Sequence, residues 1–290
     1  MFSGSLVAIV TPFKNGKVDY ESFEKIIEFQ IKNGTNGIIP CGTTGESATL
    51  SHAEHQEVIR FTVETVKKRV PVIAGTGSNS TEEALTLTQS AKKMGVDAAL
   101  LISPYYNKPT QKGIFEHYKY LNDNVDIPMI LYNVPGRTSS NMNSATTVAL
   151  SNLKNIAGIK EASGNLVQVS EILRDADKNF VVLSGDDALT FPMMAMGVQG
   201  VISVSANVVP DRMAALTEAA LKGDFLKAQK LHLELLELNN TLFIETNPIP
   251  VKETLAMMGL ITPEVRLPLC PMEDRHREIL KSVLQKYQII

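Results

Sequence analysis

The sequence has little cysteine, little net charge and no long apolar run. Cys41 and Cys270 are the only cysteines among 290 residues, so no disulfide framework or cysteine-rich zinc module is expected, and a reducing cytosol is the expected compartment. A formal net charge of −3 favours neither nucleic acid nor an anionic membrane as partner. The first residues, MFSGSLVAIVTPFKNG, combine a short apolar stretch with no basic segment before it, so neither a signal peptide nor a membrane span is expected.

What the chain does have is a series of short apolar runs with amphipathic stretches between them. The runs lie at 6–10, 37–41, 71–75, 98–102, 129–133, 157–160, 180–184 and 200–204, and they begin 20 to 34 residues apart. They are apolar throughout, as in parallel strands that are covered on both faces. Helices are expected at 21–33, 54–70 and 82–95. Ser51 and Thr81 are the expected N-caps, and Gly95 is the expected C-cap.

This alternation predicts a (β/α)8 TIM barrel. Eight βα units fit a closed barrel of ~250 residues, whereas an open dinucleotide-binding sheet needs G-x-G-x-x-G after its first strand. Here the first run is followed by TPFKNG, and GTGSNS at 75–80 lacks the third glycine. From about residue 211 the sequence is helical throughout. We therefore expect a catalytic barrel over 1–223 and a small C-terminal helical domain over 224–290.

The loops after the strands should carry the chemistry, because barrel enzymes place their sites at the carboxyl ends of the strands. The glycine-flanked turn PCGTTGES at 40–47 either binds a small anion or is an ordinary turn. In LYNVPGRT at 131–138, Tyr132 is either a packed aromatic or a proton relay. Arg137 is either a solvated cation or a clamp for a carboxylate. The residues alone leave these alternatives open.

Lys160 is the candidate nucleophile. It follows an apolar run directly, in AGIKEASG at 157–164. A lysine at the mouth of an apolar barrel is desolvated, which lowers the pKa of its amine. A neutral amine can attack a carbonyl and form a Schiff base that stabilises a carbanion. A loop lysine or a salt-bridged lysine is the alternative interpretation.

Phosphate and metal ions are not expected at this site. Asp186 and Asp187 follow the seventh run and would repel phosphate, and neither their loop nor 203–210 has a lysine or arginine. The histidines are His52, His55, His117, His232 and His276, and none is at a predicted strand end. His52 and His55 are spaced for two metal ligands but are more simply surface or small-molecule contacts. The sequence therefore predicts an unphosphorylated substrate and a reaction without metal or cofactor.

Four motifs together carry a resemblance to a known family. GTTGES, YNVPGRT, GIKEASG and NPIPVKE occur in this order and resemble the dihydrodipicolinate synthase / N-acetylneuraminate lyase family over essentially the whole chain. The family is a class I aldolase barrel. The resemblance implies a lyase that condenses pyruvate with L-aspartate 4-semialdehyde, on the diaminopimelate route to lysine. The alternatives are another aldolase of the family, which acts on a sugar acid, or a non-catalytic ligand-binding barrel.

The resemblance also implies roles for individual residues. Lys160 would form the Schiff base with pyruvate, and Tyr132 would move protons, relayed by Thr43 and by Tyr106 from a neighbouring subunit. Arg137 would bind the carboxylate of the semialdehyde, which distinguishes the chain from the sialic-acid lyase branch. The remaining pyruvate-binding residues would be Thr44, Gly185 and Ile202.

Regulation and assembly are the last implications of the resemblance. Seven residues match the positions at which lysine-sensitive members bind L-lysine between subunits: Ser47, Ala48, His52, His55, Asn79, Glu83 and Tyr105. Polar residues around an ordinary subunit interface are the alternative. The resemblance further implies a homotetramer built from two tight dimers, which the sharing of Tyr106 would require for activity.

Overall fold

The computed structural model describes residues 2–290. The strands are β1 (Gly4–Ala8), β2 (Phe13–Lys14), β3 (Lys17–Val18), β4 (Gly37–Ile39), β5 (Ile73–Gly75), β6 (Ala98–Ile102), β7 (Met129–Asn133), β8 (Ile156–Glu161), β9 (Val181–Ser184) and β10 (Gly200–Ser203). The helices are α1 (Tyr20–Lys32), α2 (His52–Val66), α3 (Thr81–Lys93), α4 (Gln111–Asn124), α5 (Pro135–Thr138), α6 (Ser144–Ser151), α7 (Leu166–Asp175), α8 (Thr190–Ala195), α9 (Pro210–Leu221), α10 (Phe225–Thr241), α11 (Ile249–Met257) and α12 (Asp274–Lys286). Three short 3-10 helices are Ser47–Thr49, Asp187–Leu189 and Ser205–Asn207.

Eight parallel strands form the predicted barrel. Their order is β4, β1, β10, β9, β8, β7, β6, β5, so each strand lies beside its neighbour along the chain except for the inserted hairpin. A parallel bridge between Ile38 and Val72 joins the two ends of this sheet and closes the barrel. The TIM-barrel prediction is confirmed, and the C-terminal helices α10, α11 and α12 follow the barrel as expected.

The strands are apolar throughout because both of their faces are buried. Alternate residues, such as Leu6, Ile73 and Leu183, form one core inside the barrel. The residues between them, such as Val7 and Val182, pack outward against the helices in a second core. A strand with one solvated face would alternate between polar and apolar residues instead. The pattern in the sequence therefore reflects the two-layer packing of the barrel.

The element boundaries agree with most of the predicted ones. β6 and β7 match the predicted runs, whereas β1 begins at Gly4, two residues before the predicted start. Ser51 caps α2 in a capping box with Glu54, as predicted. The predicted cap Thr81 is wrong, because the side chain of Ser80 accepts from the backbone N–H of Glu83 and Thr81 is the first helical residue.

Two features were not predicted, and one prediction stays open. An antiparallel hairpin, β2 with β3, is inserted after the first barrel strand. α3 ends at Lys93 with Met94 as its C-cap, so the predicted C-cap Gly95, which has φ +85°, lies one residue further on.

α10 packs against α8 and α9 of the barrel, and α12 packs against α10 and α11. The division at residues 223 and 224 stays a prediction.

Candidate active site

Lys160 lies inside the barrel, on β8. The strand register places it between Tyr132 of β7 and Leu183 of β9, and only 6% of the residue is exposed. Its Nζ lies 4.3 Å from the centroid of the Tyr132 ring. Burial lowers the pKa of the Lys160 amine to about 8; the Asp187 carboxylate opposes this shift and the Arg137 charge adds to it. A substantial fraction of the amine is therefore neutral near physiological pH, as a nucleophile requires.

Tyr132 and Arg137 stand beside this amine. Tyr132 lies on β7, lines the same cavity as Lys160 and is 7% exposed. Burial raises the pKa of its phenol, against the opposite effects of the Arg137 charge and the Thr43 hydroxyl. Arg137 lies in the single-turn helix α5, where Pro135 occupies the first position, and its Nη2 donates to the backbone carbonyl of Asn247 at 3.3 Å. The arginine fork is thereby directed along the cavity wall.

The turn after β4 is tight and glycine-dependent. A Cβ on Gly45 would lie 3.1 Å from the backbone nitrogen of Cys41 and 3.2 Å from the carbonyl oxygen of Ile9. The backbone N–H of Gly45 donates to the carbonyl of Gly42 at 3.1 Å. Thr43 and Thr44 both line the cavity, and the Thr44 hydroxyl accepts from Asn247 Nδ2 at 3.0 Å. The turn thus places two threonines on the cavity wall, in a glycine-rich segment of the kind that can bind a small anion.

A buried ion pair, which the sequence analysis did not anticipate, holds the end of this turn. Lys252 Nζ of α11 lies 2.6 Å from Glu46 Oε1, and the side chains are 0% and 1% exposed. The second carboxylate oxygen of Glu46 accepts from the backbone N–H of Arg266 at 3.1 Å. The Phe13 ring lies 4.2 Å from Lys252 Nζ and 4.3 Å from the Arg266 guanidinium. Lys252 belongs to the NPIPVKE motif, and this motif was the feature of the sequence that could have pointed to its role.

The loop after β9 differs in one respect from the prediction. Gly185 lines the cavity where a Cβ would lie 2.9 Å from Lys160 Cε, so only glycine leaves room for the lysine. Asp186 also lines the cavity. Asp187 was expected to face the substrate, but it is 2% exposed and accepts from the backbone N–H groups of Val204 and Ser205 at 2.9 and 3.0 Å. Asp186 is therefore the carboxylate that lines the cavity directly, and the unphosphorylated substrate stays a prediction.

A cavity of about 370 Å³ joins most of the predicted site. It brings together Thr43, Thr44, Tyr132, Arg137, Lys160 and Gly185, with Asn239, Asn240, Phe243 and Asn247 from the C-terminal part. These C-terminal residues were not predicted; Asn239 and Asn240 lie in α10, where helical periodicity does not show which polar residue faces a cavity, whereas Asn247 begins the NPIPVKE motif, which was a signal for it. Ile202 lies in the inner core of the barrel, 1% exposed, and is not part of the cavity lining. Tyr106 is 88% exposed and lies outside the cavity.

A second cavity of about 460 Å³ adjoins the first and shares Thr43, Tyr132 and Arg137 with it. Six of the seven residues predicted to bind L-lysine line it: Ser47, Ala48, His52, His55, Glu83 and Tyr105. His52 Nε2 lies 2.9 Å from Glu83 Oε1. The seventh residue, Asn79, supports the wall, since its Nδ2 donates to the carbonyl of Tyr105 at 3.1 Å.

Within residues 2–290, one group of three potential metal ligands comes together, at Glu245, Glu273 and His276. None of these residues lines the cavity that holds Lys160. No helix in the same range is long and apolar enough to cross a bilayer. The prediction of a metal-free and cofactor-free reaction stays a prediction.

The barrel and its site define a TIM-barrel enzyme with a buried lysine at the carboxyl ends of the strands. The chain belongs to the dihydrodipicolinate synthetase family, whose sequence model matches residues 1–287. It is 56% identical over 290 residues to the 4-hydroxy-tetrahydrodipicolinate synthase of Geobacter metallireducens, with full coverage of both chains. By this membership the chain is an enzyme, a lyase of lysine and diaminopimelate biosynthesis.

Solved structures agree with this assignment. The dihydrodipicolinate synthase of Aquifex aeolicus has a TM-score of 0.98 and 50% identity, and 99% of each chain is covered. The chloride-inhibited enzyme of Acinetobacter baumannii, complexed with pyruvate, has a TM-score of 0.98 and 46% identity, with full coverage of both chains. The Cyanidioschyzon merolae enzyme with lysine bound has a TM-score of 0.97 and 39% identity, covering 100% of this chain and 99% of that one.

Proposed function

We propose that the chain condenses pyruvate with L-aspartate 4-semialdehyde to give 4-hydroxy-tetrahydrodipicolinate, through a Schiff base on Lys160. The observation that carries the proposal is the buried Lys160 amine, with its lowered pKa, at the base of a cavity that Tyr132, Arg137 and Thr44 also line. The names of the relatives and the pyruvate complex of the Acinetobacter enzyme support the choice of substrates.

The proposed reaction begins on the ketone. The neutral amine of Lys160 attacks C2 of pyruvate, and the ketone oxygen leaves as water to give an imine. Loss of a proton from C3 gives an enamine, because the imine nitrogen accepts the electron pair. The enamine carbon then forms a bond to the aldehyde carbon, whose oxygen takes up a proton. The amino group of the second substrate finally attacks C2, closes the ring and releases the Lys160 amine.

The neighbouring groups serve these steps. Tyr132, whose phenol is buried beside Lys160 Nζ, transfers protons during imine formation and ring closure, with Thr43 beside it. The Thr43–Thr44 turn binds the pyruvate carboxylate, and Gly185 leaves room beside the lysine. The family resemblance also implies a pyruvate contact from the backbone of Ile202, although Ile202 lies in the inner core and does not line the cavity. Arg137 binds the carboxylate of the semialdehyde with its planar fork.

Tyr106 extends the proposal to the assembly. It has φ +71° and is 88% exposed, so the chain holds a large aromatic away from its own site in a sparsely allowed conformation. We propose that it enters the site of a neighbouring subunit, within a homotetramer of two tight dimers.

Both cysteines are unpaired, Cys41 buried and Cys270 exposed, which supports a reducing cytosol as the compartment.

Inhibition by L-lysine belongs to the second cavity. Glu83 supplies an acceptor for its ammonium, and Tyr105 and the histidines His52 and His55, which line the same cavity, meet its carboxylate. The Cyanidioschyzon structure with lysine bound supports this assignment. Calorimetry with L-lysine tests it: wild-type protein should bind and Glu83→Ala should lose binding and inhibition together. Inhibition that persists in Glu83→Ala would place the regulatory site elsewhere.

An activity assay tests the reaction itself. Purified protein with pyruvate and L-aspartate 4-semialdehyde should form the cyclic product, and Lys160→Ala should lose nearly all of this activity. N-acetylneuraminate serves as the control substrate, because the part of it that takes the place of the semialdehyde is a sugar with no carboxylate for Arg137 to bind. Cleavage of N-acetylneuraminate without condensation of the semialdehyde would overturn the proposed function.

A further inference from the structure

The inner stripe of α10 carries a polar residue among apolar ones. Ala228, Leu235 and Leu242 recur at helical spacing and are 0 to 1% exposed. Asn239 occupies the same stripe, between Leu235 and Leu242, and is 1% exposed. Packing alone would favour another apolar side chain at this position, because a buried amide must replace the hydrogen bonds that it made with water.

Asn239 makes no such replacement within the protein. Neither its Oδ1 nor its Nδ2 has a hydrogen-bond partner among residues 2–290. Asn239 is among the residues that line the cavity that holds Lys160, and its two amide atoms are almost fully covered by neighbouring groups. Because buried polar groups are almost always paired, a side chain with both atoms unpaired at the edge of a cavity indicates a ligand that pairs them.

The charges around the cavity indicate what that ligand is. Lys160 and Arg137 are its positive lining residues, and Asp186 is its negative one. The 3-10 helix Asp187–Leu189, which follows Asp186 directly, packs against α10. The α10 side of the cavity is therefore the one where a positive group is favoured. The α-amino and α-carboxyl groups of an amino acid lie side by side, and one is a donor and the other an acceptor. The amide of one asparagine can pair with both, because its Oδ1 accepts from the ammonium and its Nδ2 donates to the carboxylate.

We propose that Asn239 is a specificity-determining residue that binds the amino-acid end of the second substrate. Oδ1 accepts from the ammonium, and Nδ2 donates to the carboxylate that Arg137 also binds. This inference rests on the proposed function, since it assumes that the second substrate is an amino-acid aldehyde. Asn239 would recognise the amine of the second substrate, whereas Arg137 recognises only its carboxylate.

Asn239→Leu tests the inference against a matched substrate pair. Succinate semialdehyde has the carboxylate and the aldehyde of L-aspartate 4-semialdehyde but lacks the amine. The variant should raise the KM for L-aspartate 4-semialdehyde about tenfold or more, whereas the inhibition constant of succinate semialdehyde should rise by clearly less, because this analogue loses only the contact between its carboxylate and Nδ2. Trapping of pyruvate by borohydride should be unchanged. The thermal midpoint should equal or exceed that of wild type, because the variant removes an unpaired buried amide.

His232→Leu is the control. His232 lies on α10 two turns earlier, is 7% exposed and has an unpartnered Nδ1, but it is not part of the cavity lining. This variant should leave the KM for the semialdehyde unchanged. An equal rise for both aldehydes, a loss of pyruvate trapping or a lowered thermal midpoint in Asn239→Leu would show a structural role and overturn the inference.

The failure of this inference is distinguishable from failure of the proposed function. If wild-type protein traps pyruvate and consumes the semialdehyde while Asn239→Leu behaves as wild type, only the role of Asn239 is wrong. If wild-type protein does not trap pyruvate at all, the proposed function is wrong and the inference falls with it.

Discussion

At the scale of residues, the chemistry depends on a competition between desolvation and charge at Lys160. Burial disfavours its ammonium form, and the positive Arg137 adds to this effect, while the buried Asp187 opposes it. Desolvation prevails, so the pKa of the amine falls to about 8 from the ordinary lysine value of 10.5. An amine with this pKa is both partly neutral and basic enough to attack a ketone near neutral pH.

The pH dependence of imine formation follows from this pKa. Because the pKa is lowered, the neutral amine is depleted about tenfold per pH unit below about 8 and predominates above it. The rate of pyruvate capture, measured by timed trapping with cyanoborohydride, should therefore rise with pH and level off above about 8. A rate that continues to rise tenfold per unit towards pH 10.5, the ordinary lysine value, would mean that the amine is not desolvated.

Arg137 gives a second prediction at this scale. Arg137→Ala removes the carboxylate clamp but leaves Lys160 and the Thr43–Thr44 turn in place. The KM for the semialdehyde should rise by about tenfold to a hundredfold, since charge-assisted bidentate contacts are strong, while pyruvate trapping persists. Arg137→Lys is the matched variant and should recover only part of the loss, because an ammonium lacks the planar fork. Full recovery by lysine would show that charge alone suffices.

At the scale of elements, the barrel could be predicted from the sequence better than the site wall. β6 and β7 match their predicted runs, because strands buried on both faces have a continuous apolar signature. The hairpin β2–β3 was missed, since its strands have two residues each. Lys160 and Tyr132 were found because they lie near the carboxyl ends of their strands, and Arg137 because it lies in the loop that follows β7. Lys252 and Asn239 were not found from the sequence. Helical periodicity does not show which polar residue of a helix is buried against a distant part of the chain.

The ion pair between α11 and the β4 turn has a testable cost. Lys252→Ala leaves the Glu46 carboxylate without its ammonium partner at a site where both side chains are at most 1% exposed. The free energy of unfolding should fall by about 3–5 kcal/mol, as measured by urea denaturation. The double variant Glu46→Gln with Lys252→Met should recover much of this loss, because no charge then stays buried. Equal losses in the single and double variants would contradict the account.

At the scale of the whole molecule, the role that we propose for the exposed Tyr106 would make activity depend on association. One chain supplies Lys160, Tyr132 and Arg137 in its own cavity, and we propose that the next chain supplies Tyr106. Tyr106→Phe and Lys160→Ala should each be nearly inactive alone. Coexpressed, they should recover about a quarter of wild-type activity, because half of randomly paired dimers are mixed and each mixed dimer has one complete site. Activity no greater than the sum of the two variants would mean that Tyr106 is not shared.

Covalent capture of pyruvate by Lys160 is the central claim, and borohydride reduction measures it most directly. Wild-type protein treated with pyruvate and borohydride should gain the mass of one reduced pyruvate imine per chain, and peptide mass spectrometry should locate it on Lys160. Lys160→Arg, which keeps the positive charge, should gain nothing. An unmodified wild-type mass, or an adduct on another lysine, would contradict the account.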